Sequence, residues 1–387
     1  MPISRSLLIA IIVIIVIAVV GGGLAYYYYT QQQKPRKIVI YVIGKGVHPY
    51  WDVVAAGVEM AEKEIEQKFG EDIDAEFWTP TKEEAALQFS QVDALIAQKV
   101  TGLALAPVDA EAAVTYINKA IQQGIITITF DTDSPGSNRP IYIGTNNYKA
   151  GYLGGLAAYV IAKQKGYVQP GGTLKVGIVS ATLAAQNARD RVQGFMDAIK
   201  RCVEMDPDIR GNIKVEFIGP YEDKGDVSLA VSYALSILQA HPDLHIAFGS
   251  NAYEGPAWTQ ALKQLNYPAG KVVLVQFDVT SDNVPPAWEG YALVTIGQRQ
   301  YFMGYYAVWL IYNATKLGGI EQAIKQFLPQ WPQVKEYDTG VDLVAKERLE
   351  LTAPTGEKIV IKGLSEYKRE MQGLGVDPKL LGLENIP

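Results

Sequence analysis

The chain has 387 residues, 48% of them hydrophobic and 20% charged, which is enough for two domains and a large core. Lys and Arg total 35 against 41 Asp and Glu, a net charge of −6 with no basic block, and this argues against a nucleic-acid partner. The single cysteine, Cys202, rules out an intrachain disulfide and reads as a small packing residue in a helix, while His241 and His245, with Pro242 between them, make a poor metal pair.

Leu7–Ala25 is almost wholly apolar and close to the ~20 residues a helix needs to span a bilayer. Arg5 precedes it, and Tyr26–Tyr29 follows as an interfacial belt. Residues 1–29 therefore read either as a signal anchor or as a signal peptide cut after Gly23-Leu24-Ala25. No cysteine lies nearby to carry a lipid. Lys34, Arg36 and Lys37 outnumber Arg5, and the positive-inside rule alone would keep the following domain in the cytoplasm. Residues 30–35 form a polar linker.

From Lys37 the pattern changes to short apolar strands alternating with helices. Lys37–Ile43 is a continuous apolar run, as expected of a buried parallel strand. Gly44-Lys45-Gly46-Val47-His48-Pro49 then comes near the dinucleotide fingerprint, but proline stands at the third glycine position. The second strand, near Ala75–Trp78, ends in Thr79-Pro80 with no ribose-binding acid, so a Rossmann oxidoreductase is disfavoured. Helices are expected at 50–69, 83–99 and 110–123, with strands at 102–106 and 126–130. Ile126–Phe130 is β-branched or aromatic throughout, and it stops at Asp131 before the turn residues Ser134-Pro135-Gly136. A further strand at 141–144 leads to Thr145-Asn146-Asn147.

The alternation restarts beyond that loop. Helices are expected at 150–165, 186–203 and 227–239, and strands at 174–180, 213–218, 245–249, 272–277 and 292–296. An aromatic helix follows at 301–315. Such alternation implies right-handed crossovers and parallel sheets. Polar or aromatic residues recur where strands end: Tyr50, Trp51, Asp131, Arg189, Asn251, Asp278 and Gln298. Their repetition in two series points to a ligand cleft between two lobes. Carboxylates, amides and arginine can each hold neighbouring hydroxyls, and rings can cover the apolar face of a sugar. That mixture suits a neutral polyhydroxylated molecule better than a phosphate or a lipid.

These residues resemble the type I periplasmic binding proteins of the ribose, galactose and xylose class over about Lys37–Val344. His48-Pro49-Tyr50-Trp51 is similar to that family's Asn-Pro-aromatic-aromatic clamp. Phe130-Asp131 resembles its sugar-binding acid, and Ala188-Arg189-Asp190-Arg191 its Ala-Arg-Glu-Arg segment, whose first arginine holds sugar hydroxyls. Ser250-Asn251, Phe277-Asp278 and Thr295-Ile296-Gly297-Gln298 resemble further binding segments. Three departures stand out. His48 replaces Asn, Thr132 stands where Arg often follows the acid, and Tyr253 and Glu254, with Glu222 and Asp223, add groups a ribose binder lacks.

The resemblance implies an α/β fold of two doubly wound Rossmann-like lobes with parallel sheets and a three-crossing hinge. The crossings fall near Asn147, Gln298 and Gln333. The N-terminal lobe is then 36–146 with 299–333, the C-terminal lobe 147–298 with 334–350, and 351–387 a C-terminal extension. It also implies a non-enzymatic, cofactor-free monomer outside the cytoplasm, against the charge rule. Such a protein would bind a sugar through His48, Tyr50, Trp51, Asp131, Arg189, Asn251, Tyr253, Glu254, Asp278 and Gln298 and pass it to ABC permease subunits. A sensor for a chemotaxis or signalling partner, and a binder of a nucleoside or other small polar solute, are the alternatives. A glycosidase is the enzyme alternative, but no nucleophile motif appears: G-x-S-x-G is absent, as is the phosphate loop of an ATPase.

Overall fold

The structure is a computed structural model that describes residues 19–23 and 37–387. Most of the expected membrane segment lies outside the described residues; among the described residues, no helix is long and apolar enough to cross a membrane.

The first lobe opens with β1 (Ile38–Ile43), α1 (Pro49–Phe69), β2 (Ile73–Trp78), α2 (Ala85–Gln98), β3 (Gly102–Leu105), α3 (Ala113–Gln122), β4 (Ile126–Phe130) and β5 (Tyr142–Gly144). The second lobe takes α4 (Asn147–Gln164), β6 (Thr173–Ser180), α5 (Gln186–Met205), β7 (Lys214–Glu222), α6 (Val227–Ala240), β8 (Ile246–Gly249), α7 (Glu254–Gln264), β9 (Val273–Phe277), α8 (Val284–Trp288) and β10 (Ala292–Gln298). The chain then returns to the first lobe with α9 (Gln300–Lys316), α10 (Ile320–Phe327) and β11 (Glu336–Asp338). It ends in the second lobe with β12 (Val341–Ala345), β13 (Leu349–Thr352), β14 (Lys358–Gly363), α11 (Leu364–Gly373) and a 3₁₀ turn at Pro378–Leu381.

The first sheet is parallel, in the order β11-β5-β4-β3-β1-β2. The second runs β13-β14-β12-β10-β9-β8-β6-β7. Its β7-β6-β8-β9-β10 part repeats the β2-β1-β3-β4-β5 order of the first. Each lobe therefore reverses strand order beside its first strand, and the carboxyl ends of both sheets open onto one crevice. The second sheet is mixed rather than wholly parallel, because β12 runs antiparallel to β10 and β13 antiparallel to β14. Buried β-branched and aromatic residues fill both faces of the sheets: Ile40, Val42, Ile128 and Phe130 in one lobe, Val176, Ile178, Phe248 and Phe277 in the other.

Two boundaries differ from the sequence expectation. β11 pairs in parallel with β5, so residues 336–338 belong to the first lobe, and the third crossing lies at Thr339-Gly340 rather than near Gln333. Three residues of an edge strand carry too little periodicity to assign. Residues 351–387 do not form a separate extension. β14 pairs with β12, and Leu364, Tyr367, Met371, Val376, Leu381, Leu383 and Ile386 are all buried in one cluster. That cluster also contains Val53 of α1 and Tyr301 of α9, so the tail packs across the hinge onto both lobes. Ion pairs fasten its base: Arg299 at the second crossing reaches Asp342 at 3.1 Å and Glu370 at 3.1 Å, and Lys362 reaches Asp342 at 2.8 Å.

Within the second lobe, α4 and α5 lie very close. A Cβ at Gly151 would stand 2.0 Å from the Arg191 carbonyl oxygen, and one at Gly194 would stand 2.1 Å from the Tyr148 oxygen. Only glycine permits this approach, and it seats Arg191 at the crevice.

Candidate functional site

The two lobes face each other across one shared cleft, which residues of both line. Lys45, His48, Tyr50, Trp51, Glu83 and Asp131 line it from the first lobe. Asn187, Arg191, Asn251, Ala252, Tyr253, Asp278 and Gln298 line it from the second lobe.

His48 caps α1: its Nδ1 accepts a hydrogen bond from the Tyr50 amide at 3.1 Å, and Pro49 fixes the first turn. This launches Tyr50 and Trp51 into the crevice. Trp51 stands edge-on to Tyr50, with ring centroids 4.9 Å apart, and stacks on Phe77 at 6.0 Å. Tyr50 donates to Asp131 Oδ2 at 2.5 Å, and Thr132 donates to Asp131 Oδ1 at 2.8 Å.

Asp131 and Asp278 occupy matching places, one residue past β4 and β9. Both adopt left-handed backbone conformations, with φ of 56° and 71°. Aspartate tolerates that region better than most residues, and such strain is concentrated at ligand sites. Asp278 Oδ1 accepts from Gln298 Nε2 at 2.7 Å. Burial pushes the Asp278 carboxyl up to about 6, opposed by the nearby Arg191 charge.

The arginine in the cavity is Arg191, not Arg189. The Arg189 guanidinium is turned outward and donates to the Leu183 and Ala184 carbonyls at 2.7 and 2.9 Å. On α5 the buried face runs through Asn187, Ala188, Arg191, Val192 and Phe195, a three-four spacing that leaves residue 189 outside it. Arg191 is 1% exposed. It donates to Asn147 Oδ1 at 2.8 Å, the Ser250 carbonyl at 2.9 Å and Gln298 Oε1 at 2.7 Å, and lies 4.2 Å over the Phe277 ring.

Asn251 and Tyr253 line the cavity, but Glu254 does not. It is fully buried behind them at the start of α7, where its carboxylate accepts from the Asn251 amide. Its Oε1 and the Oδ2 of Asp223 have no hydrogen-bond partner among the described residues. Burial raises both carboxyls, Asp223 to about 7. Tyr253 donates to Asp223 Oδ1 at 3.0 Å.

Lys45, Glu83 and Asn187 were not expected from the sequence. Lys45 is buried, donates to Thr132 Oγ1 at 3.0 Å and stands 3.6 Å from Asp131. A cation thus reaches the side of Asp131 from the loop after β1, although no arginine follows the acid. Lys45 and Glu83 sit in loops without periodicity, where a charge reads as solvated. Asn187 had a signal, since it lies one helical turn before Arg191.

A family model described as the periplasmic binding protein domain matches residues 39–320. The chain belongs to this family. Periplasmic binding proteins are solute receptors rather than enzymes, which fits a cleft whose acids are held by amides, tyrosine and cations. The D-ribose/D-allose-binding protein of Pseudomonas aeruginosa is 25% identical over 66% of this chain and 73% of its own length. The ribose import binding protein RbsB of Bacillus subtilis is 22% identical over 57% and 65%. Among solved structures, an ABC transporter solute-binding protein from Burkholderia graminis in complex with D-arabinose is 27% identical. It covers 81% of this chain and 97% of its own, with a TM-score of 0.64. A glucose-galactose binding protein from Geobacillus stearothermophilus is 25% identical, covers 81% and 98%, and has a TM-score of 0.66.

Proposed function

We propose that this chain captures a neutral monosaccharide outside the cytoplasm and delivers it, as a monomer, to the permease subunits of an ABC importer. The observation that carries the reading is the pair of matched acids, Asp131 and Asp278, facing one cavity from opposite lobes with rings at one wall. Asp131 keeps acceptor capacity beyond Tyr50 and Thr132, and Asp278 keeps its second oxygen. Three lining acids, Glu83, Asp131 and Asp278, against Lys45 and Arg191 disfavour an anionic solute. The ribose- and allose-binding relatives and the D-arabinose complex named above support a sugar. Residues 7–25 would hold the domain at the membrane, or direct its export if cleaved.

Because both lobes supply contacts, the ligand favours the closed arrangement, with motion absorbed at the three crossings. Binding to the folded state alone raises stability by about 2.7 kcal/mol at a hundred-fold excess over Kd. A thermal-shift screen of pentoses, hexoses, nucleosides, amino acids and sugar phosphates tests the reading. A neutral sugar is expected to raise Tm, and Asp131→Ala to remove most of the rise. A shift produced only by amino acids or phosphates, or retained in full by Asp131→Ala, refutes it.

A further inference from the structure

One side chain stands at the mouth of the cleft between the two lobes. Glu83 lies in the loop between β2 and α2, half-buried, and lines the cavity. It is held between glycines from opposite lobes. A Cβ added at Gly46 would stand 3.0 Å from Glu83 Cγ. One added at Gly225, just beyond β7 in the second lobe, would stand 3.4 Å from Glu83 Cβ and 3.5 Å from Cγ and Cδ. Gly225 also has φ of 81°, where any side chain is strained. The glycines leave a slot between the lobes that the arm of Glu83 fills.

Packing explains the methylene groups of Glu83 but not its charge. No described residue gives its carboxyl a hydrogen bond, and burial raises it above its usual range. Lys45, whose charge acts on it, already donates to Thr132 and pairs with Asp131. Glu83 also lines a wider vestibule on its other side, together with His48, Lys82, Asp223, Lys224 and Tyr253. Lining both spaces, with no hydrogen-bond donor from the described residues, the carboxyl keeps its acceptor capacity for whatever occupies the cleft.

We propose that Glu83 reads the outward-facing end of the bound sugar, accepting a hydrogen bond from a hydroxyl there, so that the cleft selects neutral sugars carrying a hydroxyl at that end. This rests on the sugar reading above and deepens it. Because Glu83 lies beside Gly225 of the second lobe, this arrangement belongs to the closed lobes, and it couples recognition of that end to closure.

Calorimetric titration of the wild type, Glu83→Gln and Glu83→Ala tests this, using D-ribose, D-arabinose, D-allose, their monodeoxy analogues and the corresponding amino sugars. Loss of one hydrogen bond to a charged group predicts about ten-fold weaker binding by Glu83→Ala. A hydroxyl donor leaves Glu83→Gln within about three-fold of wild type, since the amide oxygen still accepts. One deoxy analogue is then expected to bind wild type poorly and Glu83→Ala no worse than the parent sugar does. If the amino sugars bind wild type best and Glu83→Gln is as weak as Glu83→Ala, the donor is an ammonium and the inference is overturned. If Glu83→Ala binds the best probe within three-fold of wild type, or weakens every analogue by the same factor, the inference is overturned while the sugar reading stands. If no sugar binds the wild type, the sugar reading falls and this inference with it.

Discussion

Replacing Arg191 with methionine removes the charge at the centre of the second lobe's half of the cavity while keeping much of the side-chain bulk. The guanidinium has five N–H groups and uses three of them on Asn147, Ser250 and Gln298. Two remain for a ligand. The protein contacts are lost together, and three buried acceptors are left without their donor. Breaking a buried, charged network of this kind costs about 3–5 kcal/mol. At about 2–4 °C per kcal/mol, Tm is expected to fall by roughly 10 °C. Losing two charged hydrogen bonds to the sugar, at about 1.5 kcal/mol or more each, weakens binding by about a hundred-fold. Arg189→Ala is the control, because that side chain holds only two surface carbonyls; it is expected to shift stability by no more than about 0.5 kcal/mol and affinity by less than two-fold. Calorimetry and thermal melting of both variants decide the matter. If Arg189→Ala loses binding while Arg191→Met retains it, the assignment of the cavity arginine is wrong.

Asp278→Asn tests the electrostatics. A carboxyl whose folded value is about 6 instead of 3.8 favours the protonated folded state, so stability falls as pH rises through that window and stays low above it. The variant is expected to gain about 3 kcal/mol over wild type in urea unfolding at pH 8 and almost nothing near pH 3, and to bind sugar more weakly; an equal gain at both pH values refutes the account. Leu381→Ala removes a buried side chain from the cluster that spans the hinge and is expected to cost about 2–5 kcal/mol. A midpoint within the error of wild type would show that the tail is not integral to the fold. For topology, protease added to intact cells is expected to remove the large domain, and protection until lysis would place it in the cytoplasm.

The two strand-end acids were legible because a β-branched run that stops on aspartate is a local pattern, and it occurs twice. Asn251, Gln298 and the Tyr50-Trp51 pair were legible for the same reason. Arg191 was legible in principle: it interrupts an otherwise apolar stripe at Ala188, Val192, Phe195 and Ile199, and a cation inside such a stripe needs a buried partner. The family motif points to Arg189, whereas helical phase points to Arg191. Glu254 was misread because a polar residue after a strand also serves to satisfy a helix terminus, which it does at Asn251. Lys45 and Glu83 depend on contacts 87 and more than a hundred residues away, with Thr132 and Gly225, which no local pattern encodes.

The chain crosses between lobes three times and then lays its last residues over the joint. Neither lobe is therefore a continuous stretch: the first lacks α9, α10 and β11 until residue 338 has been made, and the second lacks β12 to the final turn until nearly the last residue. During synthesis, a nascent chain holding the first eight elements has an incomplete core, with the side of the sheet later covered by Met303, Ala307 and Ile311 still open. The first core waits for residue 338 and the second for the strands and tail beyond it, so the ligand-competent form arises late. A chain arranged this way stays unfinished long enough to be exported before it folds, and a truncation near its end damages two lobes rather than one.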